Sequence, residues 1–218
     1  MAIRKVVFAL GEYYHIYNRG NSKQKIFHDT QDYRRFLALL YSANTEQSIA
    51  IRLIGKNIFT FDRVTNLVSI GAYCLMPNHF HILITQTENG SISKFMQKVT
   101  TGYSMYYNQK YKRTGSLFEG RFKSEHADTD RYLKYLFSYI HLNPIKLIEP
   151  KWKEIGIQNK KHALDFLRTY LYSSYYEYIG QERPEQSIID RATFPDYFPD
   201  KKSFEKEVFE WLSYGDTV

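Results

Sequence analysis

The chain has 218 residues, 43% of them hydrophobic, with a net charge of +7 and one cysteine, Cys74. That length supports one sizeable core with an appendage, or two small units, and a lone cysteine excludes an intramolecular disulfide framework and any Cys-based zinc finger. The first 150 residues carry a net charge of +9, whereas residues 151–218 hold 10 basic against 12 acidic side chains, so a polyanionic partner is expected for the N-terminal part.

The apolar run Val6–Leu10 is too short to span a membrane and lacks a convincing cleavage site, so a soluble, cytoplasmic protein with no membrane partner is expected. Tyr13–Asn18 reads as a first strand, stopped by Arg19-Gly20-Asn21. Asp29 or Thr30 can cap a helix through Tyr33, Phe36, Leu37, Leu40 and Tyr41. Residues 48–67 mix apolar and polar positions and read as a hairpin or irregular insertion. Leu67–Met76 and His79–Thr85 read as two strands joined tightly at Pro77-Asn78. Ser91 or Ser93 can cap a long helix to about Tyr111, with Phe95, Val99, Gly102 and Tyr106 on its apolar face. A fourth strand is expected near Phe122–Ala127, and Asp128 or Thr129 opens a helix carrying Leu133, Leu136, Phe137 and Ile140, which ends or kinks at Asn143-Pro144. Beyond Lys151, the aromatic stretches around Trp152, Phe166-Leu167, Tyr170–Tyr178 and Phe204–Trp211 suggest a helical extension, with Pro184, Pro195 and Pro199 marking a loop.

This order fits an α+β fold: a ferredoxin-like antiparallel sheet with helices on one face, plus an added helix and a C-terminal helical extension. The expected division is 1–148 for the basic unit and 149–218 for the extension.

The most informative stretch is His79-Phe80-His81 at the head of Ile82-Leu83-Ile84. Alternation along a strand puts His79 and His81 on one face, roughly 6–7 Å apart, close enough to chelate one divalent ion. A pair of satisfied or surface histidines is the competing reading. Tyr139 and Asn143 lie four residues apart, on nearly one side of the last helix, where they could present a phenol and an amide oxygen to the histidine face. On the residues alone, Asn143 reads better as an amide that finishes the helix before Pro144. Tyr103 is the rival nucleophile, although packing or DNA contact suits it better. His141 should occupy a surface or supporting position, and His15 a core or supporting one.

Three motifs occur in order: Met76-Pro77-Asn78-His79-Phe80-His81, Gly115–Lys123, and Tyr139-Ile140-His141-Leu142-Asn143-Pro144-Ile145-Lys146. Over residues 12–148 the chain resembles the HUH single-tyrosine transposases, particularly the REP-associated tyrosine transposases. The resemblance implies that His79, His81 and Asn143 bind a divalent ion, Mg²⁺ or Mn²⁺, and that Tyr139 is the nucleophile. It further implies cleavage and rejoining of single-stranded DNA, often beside hairpins, through a 5′-phosphotyrosine. Arg121, Lys123 and Lys146 would contact DNA, and the proton acceptor for Tyr139 is open among metal-bound water, Glu125, His126 and Lys146. Such proteins occur as dimers and as monomers, so a homodimer is allowed. A noncatalytic hairpin-binding protein on the same scaffold is the alternative, and a metal phosphodiesterase using water is a third reading.

Overall fold

Strand alternation sorts the sheet into two faces, and each face builds its own core. The computed structural model describes residues 6–47 and 55–210. Strands β1 (Tyr13–Arg19), β2 (Val68–Met76), β3 (His79–Gln86) and β4 (Lys123–His126) form one antiparallel sheet in the order β2-β3-β1-β4. That is the ferredoxin-like order. Tyr14, Ile16, Phe80, Ile82 and Ile84 look into the first core, beneath α1 (Thr30–Ser42) and α2 (Ser91–Lys110). The opposite face carries His15, Tyr17, His79, His81 and Leu83, and α3 (Asp130–Leu142) packs there.

Local chemistry explains the helix boundaries. Asp29 caps α1 by accepting from the Gln31 and Asp32 backbone amides. Thr129 caps α3 through the Tyr132 amide. At α2 neither expected serine is the cap: Gly90 occupies it at φ +82°, a backbone region that favours glycine, while the Ser91 hydroxyl donates to the Leu67 carbonyl. The buried stripe of α2 runs through Phe95, Val99, Tyr103 and Tyr107, and Tyr106 lies beside it. Gly102 lets α1 approach, since a Cβ there would meet Leu39 Cδ2 at 2.9 Å. The expected insertion at 48–67 lies partly outside the described residues, and its described part contains a 3₁₀ turn, Gly55–Thr60. Arg4, Lys5 and Trp211 also lie outside them.

A bulge at Gly71 reverses the phase of β2. Val68 and Ile70 face the first core, but Ala72, Cys74 and Met76 face the second. The Phe194 ring fills the space at Gly71, where a Cβ would sit 2.8 Å from it.

The extension closes the second core. It comprises α4 (Trp152–Ile155), α5 (Lys160–Thr169), α6 (Tyr175–Tyr178) and α7 (Lys201–Glu210). Leu75 N donates to the Tyr172 carbonyl at 2.9 Å and Ser174 N to the Tyr73 carbonyl at 3.0 Å, which covers the outer edge of β2. Tyr170 and Tyr178 hydroxyls donate to the carbonyls of Leu75 and Gly71. Among the described residues, no helix is long and apolar enough to cross a membrane.

His141 is not a surface residue. It is fully buried between α3 and the extension, 2.7 Å from the Ser174 hydroxyl and ringed by Tyr175, Tyr178 and Phe204. Burial pushes its pKa down to about 3. The unfolded chain therefore binds a proton on this ring between about pH 6.5 and 3 that the folded chain refuses, so stability falls as pH drops through that window. Urea titrations from pH 7.5 to 4.5 should show this decline, and His141→Gln, which cannot take the proton, should have a shallower slope whatever its absolute stability.

Candidate active site

The tight turn at Pro77-Asn78 delivers His79 to the start of β3, and the loop before α1 holds that turn. Ile26 and Phe27 amides donate to the Pro77 carbonyl, and the Gly20 amide to that of Asn78. The Asn78 side-chain amide donates to the Lys23 carbonyl at 3.2 Å, which leaves its oxygen 2.6 Å from His79 Nδ1. His81, opposite Tyr17 in the β1–β3 register, has its Nδ1 2.8 Å from His15 Nε2. The His79 and His81 ring centroids lie 5.0 Å apart at 90°. With both Nδ1 atoms engaged, each ring has Nε2 left for a ligand.

Burial is the first cause of a depressed pKa at both rings. His79 is lowered to about 4, helped by Lys146, Lys153 and Arg19, and His81 well below its usual value, helped by His15, His79 and Lys153. Both therefore present neutral imidazole at pH 7, the form that ligates a metal.

Helix α3 brings the phenol to the same place. Leu133, Leu136, Phe137 and Ile140 anchor its buried stripe, and Tyr139 sits half-buried on the flank. Its ring lies edge-on to His81 at 5.5 Å and to His15 at 5.7 Å. Burial raises the Tyr139 pKa, and the Glu125 carboxylate adds to the rise, while Asn143 opposes it. Asn143 is buried, and its Nδ2 donates to the Tyr139 carbonyl at 2.7 Å. The helix-finishing reading of Asn143 is thus met by one end of the amide, leaving Oδ1 as its other functional atom. Among the described residues, no three His, Cys, Asp or Glu side chains converge as a metal cluster. In their chemistry, two neutral imidazoles and the Asn143 amide make a mixed nitrogen–oxygen donor set of the kind that suits a divalent ion.

Sequence reasoning missed Lys153. Its ammonium lies 4.2 Å from the centre of the Tyr139 ring, and burial lowers its pKa. Nothing in its local pattern signals this role, because it comes from the extension and meets Tyr139 only through tertiary packing.

The expected proton acceptors separate. Glu125 accepts from the Tyr17 and Tyr132 hydroxyls at 2.8 and 3.1 Å, and its Oε2 lies 3.7 Å from His15 Nδ1. Its pKa is held down to about 2, chiefly by His15. His126 stacks on Tyr14 and pairs with Glu12, so it belongs to the other face. Lys146 and Lys123 line a cleft of about 680 Å³ that also includes His79, Arg19, Lys23 and Lys25. Arg121 instead lines a neighbouring groove of about 890 Å³ beside α2. Tyr103 is fully buried in the first core, where its hydroxyl donates to the Ile26 carbonyl, so it cannot reach the histidines.

The family model described as "Transposase IS200 like" matches residues 10–143, a span that includes every proposed ligand and Tyr139. No curated protein matches the chain. Among solved structures, a REP-associated tyrosine transposase bound to a REP hairpin has a TM-score of 0.53 and 12% identity, covering 85% of this chain and 90% of that one. At that identity the likeness speaks for the fold, including much of the extension. The family match is what assigns the chain: it belongs to the IS200-like transposases.

Proposed function

We propose that this transposase cuts and rejoins single-stranded DNA through Tyr139, with a divalent ion held by His79, His81 and Asn143. The observation that carries the reading is the contact of the Tyr139 ring with His81, which joins the phenol to the histidine pair across 58 residues of chain. When bound, Mg²⁺ or Mn²⁺ would supply Lewis-acid polarisation of the scissile phosphate.

The protein's own groups would do the rest. The basic cleft beside His79 seats the DNA backbone, with Lys123 and Lys146 on phosphates. Tyr139 Oη forms a bond to phosphorus, and the P–O3′ bond breaks. The phenolic proton leaves the tyrosine, and the departing 3′-oxygen gains one, giving a 5′-phosphotyrosine and a free 3′-hydroxyl. Because the diester linkage is conserved, attack by another 3′-hydroxyl restores a DNA joint and frees Tyr139 without ATP. Lys153, close to the phenol ring, favours negative charge developing on its oxygen. The structural neighbour was solved with a REP hairpin, which supports hairpin DNA as the partner class.

Incubation with labelled hairpin DNA and Mn²⁺ should give a denaturation-resistant protein–DNA adduct that is lost in Tyr139→Phe. Salt-sensitive binding with no adduct from the wild type would favour the noncatalytic alternative, and free 5′-phosphate product with no adduct the water-using phosphodiesterase.

Binding should also respond to the cleft cations. Lys123→Gln and Lys146→Gln should each weaken DNA binding across unrelated sequences and reduce the slope of log K against log salt by about one. Fluorescence anisotropy between 50 and 200 mM salt measures this, and an unchanged slope in both variants would remove these lysines from the interface.

A further inference from the structure

A polar chain runs across the sheet from an exposed carboxylate on β4 to buried imidazoles on β1 and β3, behind the proposed ligand His81. Glu125 Oε2 lies 3.7 Å from His15 Nδ1, and His15 Nε2 lies 2.8 Å from His81 Nδ1. Each link crosses between neighbouring strands, because His15 is opposite Glu125 in the β1–β4 register and His81 is opposite Tyr17 in the β1–β3 register. His15 is 3% exposed and His81 6%, so water has little access to either ring. The Tyr17 and Tyr132 hydroxyls hold the outer carboxylate.

We infer that His15 and Glu125 are positioning residues that fix the tautomer of His81 so that its Nε2 lone pair faces the cation site. The direction of the bonds follows from the one group in the chain that cannot donate. At 3.7 Å the Glu125 carboxylate is beyond hydrogen-bond range, but it only accepts and sets a negative charge toward His15 Nδ1. That nitrogen has no other polar partner among the described residues, so we place the proton there. In this assignment His15 Nε2 carries no proton and accepts from His81 Nδ1–H across the 2.8 Å contact. His81 therefore keeps no proton on Nε2. His79 is oriented in the same sense by a separate device, the Asn78 oxygen at its Nδ1. The two ligands would thus be aligned independently, one by a backbone-tethered amide and the other by a carboxylate acting through a second imidazole.

The relay also touches the nucleophile. Tyr139 packs edge-on against both His15 and His81, so the ring that sets the tautomer also forms a wall for the phenol. A purely packing role for His15 would need only ring volume. A tautomer-setting role needs an acceptor at Nε2 and an anion behind Nδ1.

The inference rests on the metal reading of His79 and His81, and two measurements separate its failure from that of the reading. Long-range ¹H–¹⁵N spectra of the metal-free protein report the imidazole tautomers directly. His81 and His15 should both carry the proton on Nδ1. In Glu125→Gln the new amide can donate to His15 Nδ1, which drives His15 to the Nε2–H form and His81 with it. Mn²⁺ titration followed by electron paramagnetic resonance should show about 10- to 100-fold weaker binding in Glu125→Gln and in His15→Phe. His15→Gln, which restores an acceptor, should recover part of the loss. A wild-type His81 protonated on Nε2 overturns the inference, as does unchanged Mn²⁺ affinity in both Glu125→Gln and His15→Phe. Wild-type protein that binds Mn²⁺ no better than His79→Ala overturns the metal reading, and the inference with it.

Discussion

The register between β1 and β3 is the constraint on which the site depends. Pairing Tyr17 with His81 and Ile16 with Ile82 puts Ile16, Phe80, Ile82 and Ile84 of these central strands toward α1 and α2, and every imidazole toward α3. A slip of one residue would turn Ile82 and Ile84 toward the polar face and bury His79 and His81 among phenylalanines. The burial of Phe80, Ile82 and Ile84 therefore does more than stabilise the sheet. It holds two desolvated imidazoles in position, and their neutral state follows from that placement.

Neither face would be complete without what lies beyond the last motif. The bulge at Gly71 turns Ala72, Cys74 and Met76 into the second core, where α3 and the extension meet them. Residues 172–174 cover the β2 edge, and His141 ties α3 to Ser174. The position of Tyr139 depends on this packing, since its helix is fixed from behind by aromatic rings of the extension. Lys153 reaches the Tyr139 ring from the same segment. The extension thus contributes to the site through one side chain and through the placement of α3.

Much of this was legible in the residues. Alternation in His79–Thr85 gave the shared face of the histidines, and the spacing of Leu133, Leu136, Phe137 and Ile140 left Tyr139 on the flank, as found. The strand and helix order led to the ferredoxin-like sheet. What escaped was tertiary. The phase reversal at Gly71 has no signature beyond a glycine in an apolar strand, and the Gly90 cap was hidden by two nearby serines that normally take that position. His141 read as a surface or supporting residue because helix geometry sets it opposite Tyr139 and Asn143, and a second layer that buries that side removes the surface reading. Arg121 and Lys123, two residues apart in one motif, line different grooves. The place of His15 between Glu125 and His81 is likewise set by strand pairing that its local sequence does not signal.

Anomalous diffraction from crystals soaked in Mn²⁺ tests the proposed centre most directly. A peak is expected within coordination distance of His79 Nε2, His81 Nε2 and Asn143 Oδ1, on the side that faces the Tyr139 hydroxyl. Manganese bound at a different place in the protein, with both imidazoles left uncoordinated at saturating concentration, would contradict it.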